Sequence, residues 1–322
     1  MATYKEIYGT NVEVLGSDPS NPVEGQIWYN STSQTLKGYA LVAGSWATAG
    51  PLNTAREQLA SAGIQTAALA FGGLTTVVVG NNESYNGTSW TELNDLNTAR
   101  RALGGAGTNT AALGFGGFTT VNVGENESWN GTSWTELNNL NTARRNLGGA
   151  GTNTAALGFG GETTVNVGNT EIWNGTSWTE VNDLNTVRRI LGGVGATNTA
   201  ALAFGGFLST TTAAETESWN GTSWTELNDM NTARYGLAGA GTNTAALGFG
   251  GNSGAAIVAN TENWNGTSWT EVNDLNIARG DLAGTGTNTA GLAFGGNPSG
   301  GVVASTEEWS GPAVQTVNIT VS

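Results

Sequence analysis

One stretch recurs along most of this chain. An apolar run ends in Gly-Gly, Asn-Glu-Ser-Trp-Asn-Gly-Thr-Ser-Trp follows, and Leu-Asn-Thr-Ala-Arg closes the unit, as at 115–117, 126–134 and 140–144. The Gly-Gly pair stands at 72/73, 116/117, 160/161, 205/206, 250/251 and 295/296, a spacing of 44 or 45 residues. A unit that short cannot bury a core alone and must stack on its neighbours. The repeat therefore overrides the two or three domains that 322 residues would otherwise suggest. Its period and its short β-type runs predict a propeller or a solenoid.

Within 100–137 the pattern predicts four strands: A over Ala102–Thr108, B over Thr110–Gly117, C over Glu127–Asn130 and D over Ser133–Leu137. Asn130-Gly131 is a strong hairpin signal, because both residues tolerate the positive φ of a type I′ turn. Two aromatic residues per unit, such as Trp129 and Trp134, supply the core, each burying roughly 150–250 Å².

Composition excludes several kinds of chemistry. With neither Cys nor His, the chain has no disulfide, thiol nucleophile or imidazole base, and zinc and copper lack their usual ligands. No metal or other cofactor is expected. A net charge of −14 repels nucleic acid and anionic membranes. No apolar h-region follows Met1 and no run approaches a membrane span, so neither an ordinary secretory signal nor membrane insertion is expected.

Residues 1–44 lie outside the repeat. Tyr4–Leu15 reads as extended, Asp18–Pro22 as a turn, and Gly25–Asn30 with Thr35–Leu41 as a β-hairpin. The Gly25-Gln-Ile-Trp-Tyr-Asn30 stretch, followed by Leu36-Lys-Gly38, resembles the short N-terminal module that opens many bacteriophage virion proteins. That resemblance implies a docking segment, with Tyr4, Ile7, Tyr8, Trp28 and Tyr29 as its contact residues.

From about residue 45 to 311, Gly-Gly after an apolar strand, an aromatic residue a dozen positions on, Trp five further and then Leu-Asn-Thr-Ala-Arg resemble the kelch motif. The interval between the two aromatic residues is unusually short, and the B–C loops carry little charge. The resemblance implies an all-β propeller of four-stranded antiparallel blades. Six strand C aromatics (Tyr85, Trp129, Trp173, Trp219, Trp264, Trp309) face six strand D tryptophans that start one unit early (Trp46, Trp90, Trp134, Trp178, Trp224, Trp269). Six blades closed by the strand around Trp46 are expected, which removes the open edges of the array. Ala313–Val321, which alternates like a half-buried strand, offers a competing closure. The expected division is 1–44 and 45–322.

Repeated charges read as structural. Glu92, Glu136, Glu180, Glu226 and Glu271 share one strand D position, whereas an active site needs a unique constellation. Arg56, Arg100, Arg144, Arg188, Arg234 and Arg279 read as blade-to-blade ties, with Asp95, Asp183, Asp229 and Asp274 as partners. Asn-Gly-Thr at 86, 130, 174, 220 and 265 matches a glycosylation sequon, but the turn already accounts for it. Variation concentrates in the B–C loops, beginning at Leu74, Phe118, Glu162, Phe207 (with Leu208), Asn252 and Asn297, and in a second arginine at Arg101, Arg145 and Arg189. These are the expected ligand- or partner-binding residues, with drift and solvated ion pairs as the bland readings. The expectation is a non-enzymatic virion protein, assembled in the host cytoplasm, whose partners are other virion proteins and a host-surface glycan or receptor. The alternatives are a glycan-processing enzyme using Glu57, Glu162 or Asp281, and a purely structural capsid decoration protein.

Overall fold

The computed structural model describes residues 12–320. They divide into two units, one of Ser45–Ser310 and one of 12–44 with 311–320. Seven four-stranded sheets account for the described residues, which contain no helix and hence none able to cross a membrane.

Six of the sheets are built from the repeat, giving an all-β, propeller-like repeat fold. Each is an antiparallel meander in which strand A pairs B, B pairs C and C pairs D. In unit 2 these strands are Gly104–Gly107, Ala112–Phe115, Asn126–Trp129 and Trp134–Leu137. The A strands of units 1 to 6 are Ala60–Ile64, Gly104–Gly107, Gly148–Thr152, Gly192–Thr197, Ala238–Gly241 and Ala283–Gly286. Unit 6 takes its fourth strand from the other end of the chain: Ser45–Ala49 pairs with Thr306–Ser310, placing Trp46 opposite Trp309.

Ala313–Asn318 pairs instead with Thr35–Val42. Residues 311–320 thus belong with the N-terminal segment rather than with the repeats. Pro312, which has no amide hydrogen, follows the end of the Thr306–Ser310 strand and suits this change of sheet. In that second unit Glu13–Leu15 lies parallel beside Ile27–Asn30, which pairs antiparallel with Thr35–Val42. Asp18 is its polar hub, accepting from Trp28 Nε1 (3.0 Å), Asn30 Nδ2 (2.7 Å) and Lys37 Nζ (2.7 Å).

The C–D turn differs from the type I′ expectation. Only Gly131 has positive φ (92°). Asn130 caps the turn instead, its Oδ1 accepting from the amides of Thr132 and Ser133 at 2.9 Å, because a short amide side chain can imitate a backbone acceptor.

Neighbouring units meet through aromatic rings. Trp134 packs on Trp129 of its own sheet (5.5 Å between centroids) and on Phe71 of the preceding unit (4.9 Å). The same contact recurs as Phe115–Trp178, Phe159–Trp224, Phe204–Trp269, Phe249–Trp46 and Phe294–Trp90.

The repeated arginines form a latch between units. Arg100 is fully buried, its Nη1 donates to Glu127, and its Nη2 donates to the Gly114 carbonyl at 2.9 Å. Glu127 also accepts from the Asn97 amide at 2.7 Å and the Thr98 amide at 3.3 Å. The Arg100 carbonyl meanwhile accepts from Gly73 of the preceding unit at 2.9 Å. Burial pushes the Arg100 guanidinium below its ordinary pKa, while Glu127 pulls it back. The same pairing joins Arg56–Glu83, Arg144–Glu171, Arg188–Glu217, Arg234–Glu262 and Arg279–Glu307. The partners are therefore the strand C glutamates and not the loop aspartates. In five units the strand C glutamate reaches the Asn-Thr amides on the same stretch of chain as the arginine, and in unit 6, where Ile277 replaces the threonine, Glu307 takes the Asn276 amide and Nδ2 at 2.7 Å. Gly73, at φ 120°, sits where a Cβ would lie 2.9 Å from the Glu57 carbonyl, which accounts for the second glycine of the pair.

Candidate functional site

Two residues past each latch arginine the chain reaches a common mouth. Gln58, Ala102, Asn146, Ile190, Gly236 and Asp281 all adopt φ between 52° and 62°. The amide of each donates to the carbonyl of its counterpart in the preceding unit: Ala102 to Gln58, Asn146 to Ala102, Ile190 to Asn146, Gly236 to Ile190, Asp281 to Gly236 and Gln58 to Asp281, at 2.8–3.0 Å. The circuit returns to its start. These residues, with six leucines such as Leu59 and Leu103, line a cavity of about 100 Å³. A larger cavity of about 330 Å³ is lined by the glycine, alanine, serine, threonine and valine residues of the A strands and presents no charged side chain. Chemistry on this axis is thus confined to the first mouth.

The residue between latch and mouth pairs with the residue after Gly-Gly. Bridges join Glu57 to Leu74, Arg101 to Phe118, Arg145 to Glu162, Arg189 to Phe207, Tyr235 to Asn252 and Gly280 to Asn297. All but one of the expected B–C residues and the three extra arginines therefore belong to a single belt. Leu208 is the exception: its amide donates to the Thr211 carbonyl at 2.8 Å in a separate hairpin loop.

Side chains connect the belt from unit to unit. Arg101 donates to Gln58 Oε1 at 2.8 Å and lies 5.2 Å from the Phe118 ring centroid, while Arg145 approaches the same ring at 4.5 Å. Glu162, only 5% exposed, receives Arg145 through Nε and Arg189 through Nη1. Arg189 lies 5.3 Å from the centroid of Phe207, which meets Tyr235 edge-on at 5.2 Å. Asn122 Nδ2 donates to the Thr163 carbonyl at 2.6 Å, and Asn166 Nδ2 to the Phe207 carbonyl at 2.9 Å, so the loops of units 2, 3 and 4 are tied in succession.

Units 6 and 1 carry the opposite charge. The Asp281 carboxyl is pushed up to about 6, chiefly by burial and then by Glu57, with the Gln58 hydrogen bond and Arg101 opposing. Half of the belt is thus a packed cationic and aromatic arc, and the other half holds two carboxylates beside Gly236 and Gly280. Leu74, Phe118, Phe207, Asn252 and Asn297 are half-buried. Of the expected docking residues, Tyr4, Ile7 and Tyr8 lie outside the described residues. Trp28 is fully buried, its Nε1 donating to Asp18 at 3.0 Å, and Tyr29 is half-buried.

Of the mouth residues only Asp281 stands out in the sequence, as a carboxylate, because the property all six share is a positive φ and not a side chain. No protein-family model matches the chain, and no curated protein matches it.

Proposed function

We propose that Ser45–Ser310 is a six-bladed kelch-like propeller closed by Ser45–Ala49, and that it works as a non-enzymatic binding module of a bacteriophage virion. The pairing of Trp46 with Trp309 and the returning circuit of six amides support the closed ring. One observation carries the binding role: Arg101, Phe118, Arg145, Glu162, Arg189, Phe207 and Tyr235, which differ from unit to unit, meet through their side chains at one mouth, while the repeated arginines, strand C glutamates and tryptophans are buried between units. A scaffold that copies its core and varies one face suits recognition.

The virion setting rests on the resemblance carried by Gly25–Asn30 and Leu36–Gly38. In this reading the sheet of 12–44 and 311–320 belongs to the docking part, attached to other tail or capsid proteins, and the belt faces a host-surface glycan or a further virion protein. No cofactor enters it. Cryo-electron microscopy of the phage particle whose genome encodes this chain tests the reading. Contacts made through the smaller unit with the belt facing outward support attachment to a host. A belt buried against another virion protein makes the propeller an assembly or decoration module, and absence from the particle overturns the assignment.

A further inference from the structure

Charge is distributed unevenly over Ser45–Ser310. Six arginines are neutralised in the latches, each by its own glutamate. What remains is three arginines, Arg101, Arg145 and Arg189, against fifteen carboxylates. All three fall in consecutive units at the same mouth. In a chain this acidic, that arc is where an anion is drawn rather than repelled.

The arc also has donors to spare. Arg145 reaches Glu162 through Nε, and its two terminal nitrogens take no partner among the described residues. Arg189 reaches Glu162 through Nη1, leaving Nη2 open. Both side chains are about one-third exposed, at 30% and 31%. Packing near the Phe118 and Phe207 rings, together with the shared carboxylate, fixes both guanidinium groups before any ligand arrives. Planar donors held in this way suit a carboxylate, which two parallel N–H groups can grip.

We infer that the arc formed by Arg145, Glu162 and Arg189 beside Phe118 and Phe207 is a binding site for a carboxylate-bearing saccharide. This deepens the host-glycan form of the proposed function and rests on it. The ligand carboxylate takes the outward nitrogens of Arg145 and Arg189, and Glu162 is the resident anion that orients them. Two features select a small acidic sugar over larger anions. Three arginines and one glutamate make a limited positive area, with Glu57 and Asp281 round the same mouth, so an extended polyanion meets repulsion at once. The main chain of Arg101, Arg145 and Arg189 is already bridged to Phe118, Glu162 and Phe207, which leaves no strand edge there for a peptide to extend. The rings of Phe207 and Tyr235 offer apolar surface for the C–H face of a sugar.

The test is calorimetric titration of the full chain with digalacturonate and with sialyllactose, against the digalacturonate methyl ester and lactose. Binding of either acid, with the neutral counterpart silent, is expected, and which acid binds distinguishes the two kinds of sugar. Arg145→Gln should weaken binding about tenfold or more, the loss of a charge-assisted pair, without moving the melting temperature. Glu162→Gln should strengthen it several-fold, because the amide keeps an oxygen to hold a guanidinium while the negative charge beside the ligand carboxylate is gone. Silence from both acids, equal binding of the neutral sugars, or equal binding of a tetraglutamate peptide overturns the inference. The particle structure is independent of these titrations, so a belt seen facing outward would leave the proposed function standing even if both sugars fail.

Discussion

Arg144 and Arg145 are consecutive residues with opposite surroundings. Arg144 is fully buried, bound to Glu171 and to the Gly160 carbonyl, and has a counterpart in every unit. Arg145 is partly exposed, shares Glu162 with Arg189, and is matched by Glu57, Arg101, Arg189, Tyr235 and Gly280 in the other units. The first holds one unit to the next; the second is free to differ because the first does that work. Substitution should separate them sharply. Arg144→Ala strands the Glu171 carboxylate in the interior and is expected to cost about 3–5 kcal/mol. Arg145→Ala should change stability by no more than about 1 kcal/mol, as expected of a partly exposed pair. Urea unfolding of both variants checks this, and similar losses would mean that the belt is part of the load-carrying core.

The sheet that Ser45–Ala49 completes allows the comparison to be extended to the proposed ring. Trp46 enters unit 6 from the far end of the chain, yet its contacts with Phe249 and Trp309 copy those of Trp134 with Phe71 and Trp129. The next junction, from unit 6 to unit 1, has ties of its own. Ser61 Oγ donates to the Gly284 carbonyl at 2.8 Å, Gln65 Nε2 to the Trp309 carbonyl at 2.7 Å, and Tyr85 Oη to Glu308 at 2.8 Å. If the ring closes through Ser45–Ala49, Trp46→Ala should lose as much as Trp134→Ala, about 3–5 kcal/mol each. A near-neutral Trp46→Ala would show that this strand frays without loosening the rest.

Much of this was legible in the sequence, and the remainder failed for identifiable reasons. The Gly-Gly period, the strand positions and the early start of the strand D tryptophans all follow from side chains that repeat. The latch partner was misread although it was countable: the loop aspartates occur in four units, whereas a strand C glutamate (Glu83, Glu127, Glu171, Glu217, Glu262, Glu307) occurs in all six. A carboxylate as regular as the arginine was the better partner. The mouth was illegible because Gln58, Ala102, Asn146, Ile190, Gly236 and Asp281 share only a backbone angle. Ile190 at φ 52° is a conformation that a β-branched residue rarely adopts, and nothing local in the sequence announces it.

Departures inside the buried layer are rarer and should be felt. In four units a threonine accepts the indole N–H of the following unit: Thr170 from Trp224, Thr216 from Trp269, Thr261 from Trp46 and Thr306 from Trp90, at 3.0–3.1 Å. Units 1 and 2 have Asn82 and Asn126 at that position. There the Nε1 atoms of Trp134 and Trp178 and both asparagine Oδ1 atoms are buried without a partner in the protein. Asn82→Thr and Asn126→Thr supply the missing acceptor but remove the bonds that Nδ2 donates to the Asn94 and Asn138 carbonyls at 3.1 and 3.2 Å, so each should stabilise by less than about 1 kcal/mol. Thermal or urea unfolding of the two variants measures it, and destabilisation would mean that the lost Nδ2 bonds outweigh the new indole partner.

A pH dependence contrasts the mouth with the Asp18 hub of the other unit. Asp281 titrates at about 6 in the folded protein, against 3.8 when unperturbed. The folded state therefore holds its proton more tightly than the unfolded chain does. Its contribution to stability falls as pH rises from about 4 to about 6 and is flat above that. Asp18 is lowered to about 2 by its hydrogen bonds from Lys37, Asn30 and Trp28, so its contribution is present above about pH 4 and is lost as pH falls towards 2. Melting temperatures from pH 2 to pH 8 should show the two slopes with opposite signs. Asp281→Asn should remove the first and leave the second, and Asp18→Asn the reverse. A slope between pH 4 and 6 that survives Asp281→Asn would place that titration outside the mouth, with Glu92, whose carboxyl burial also pushes up, as the next candidate.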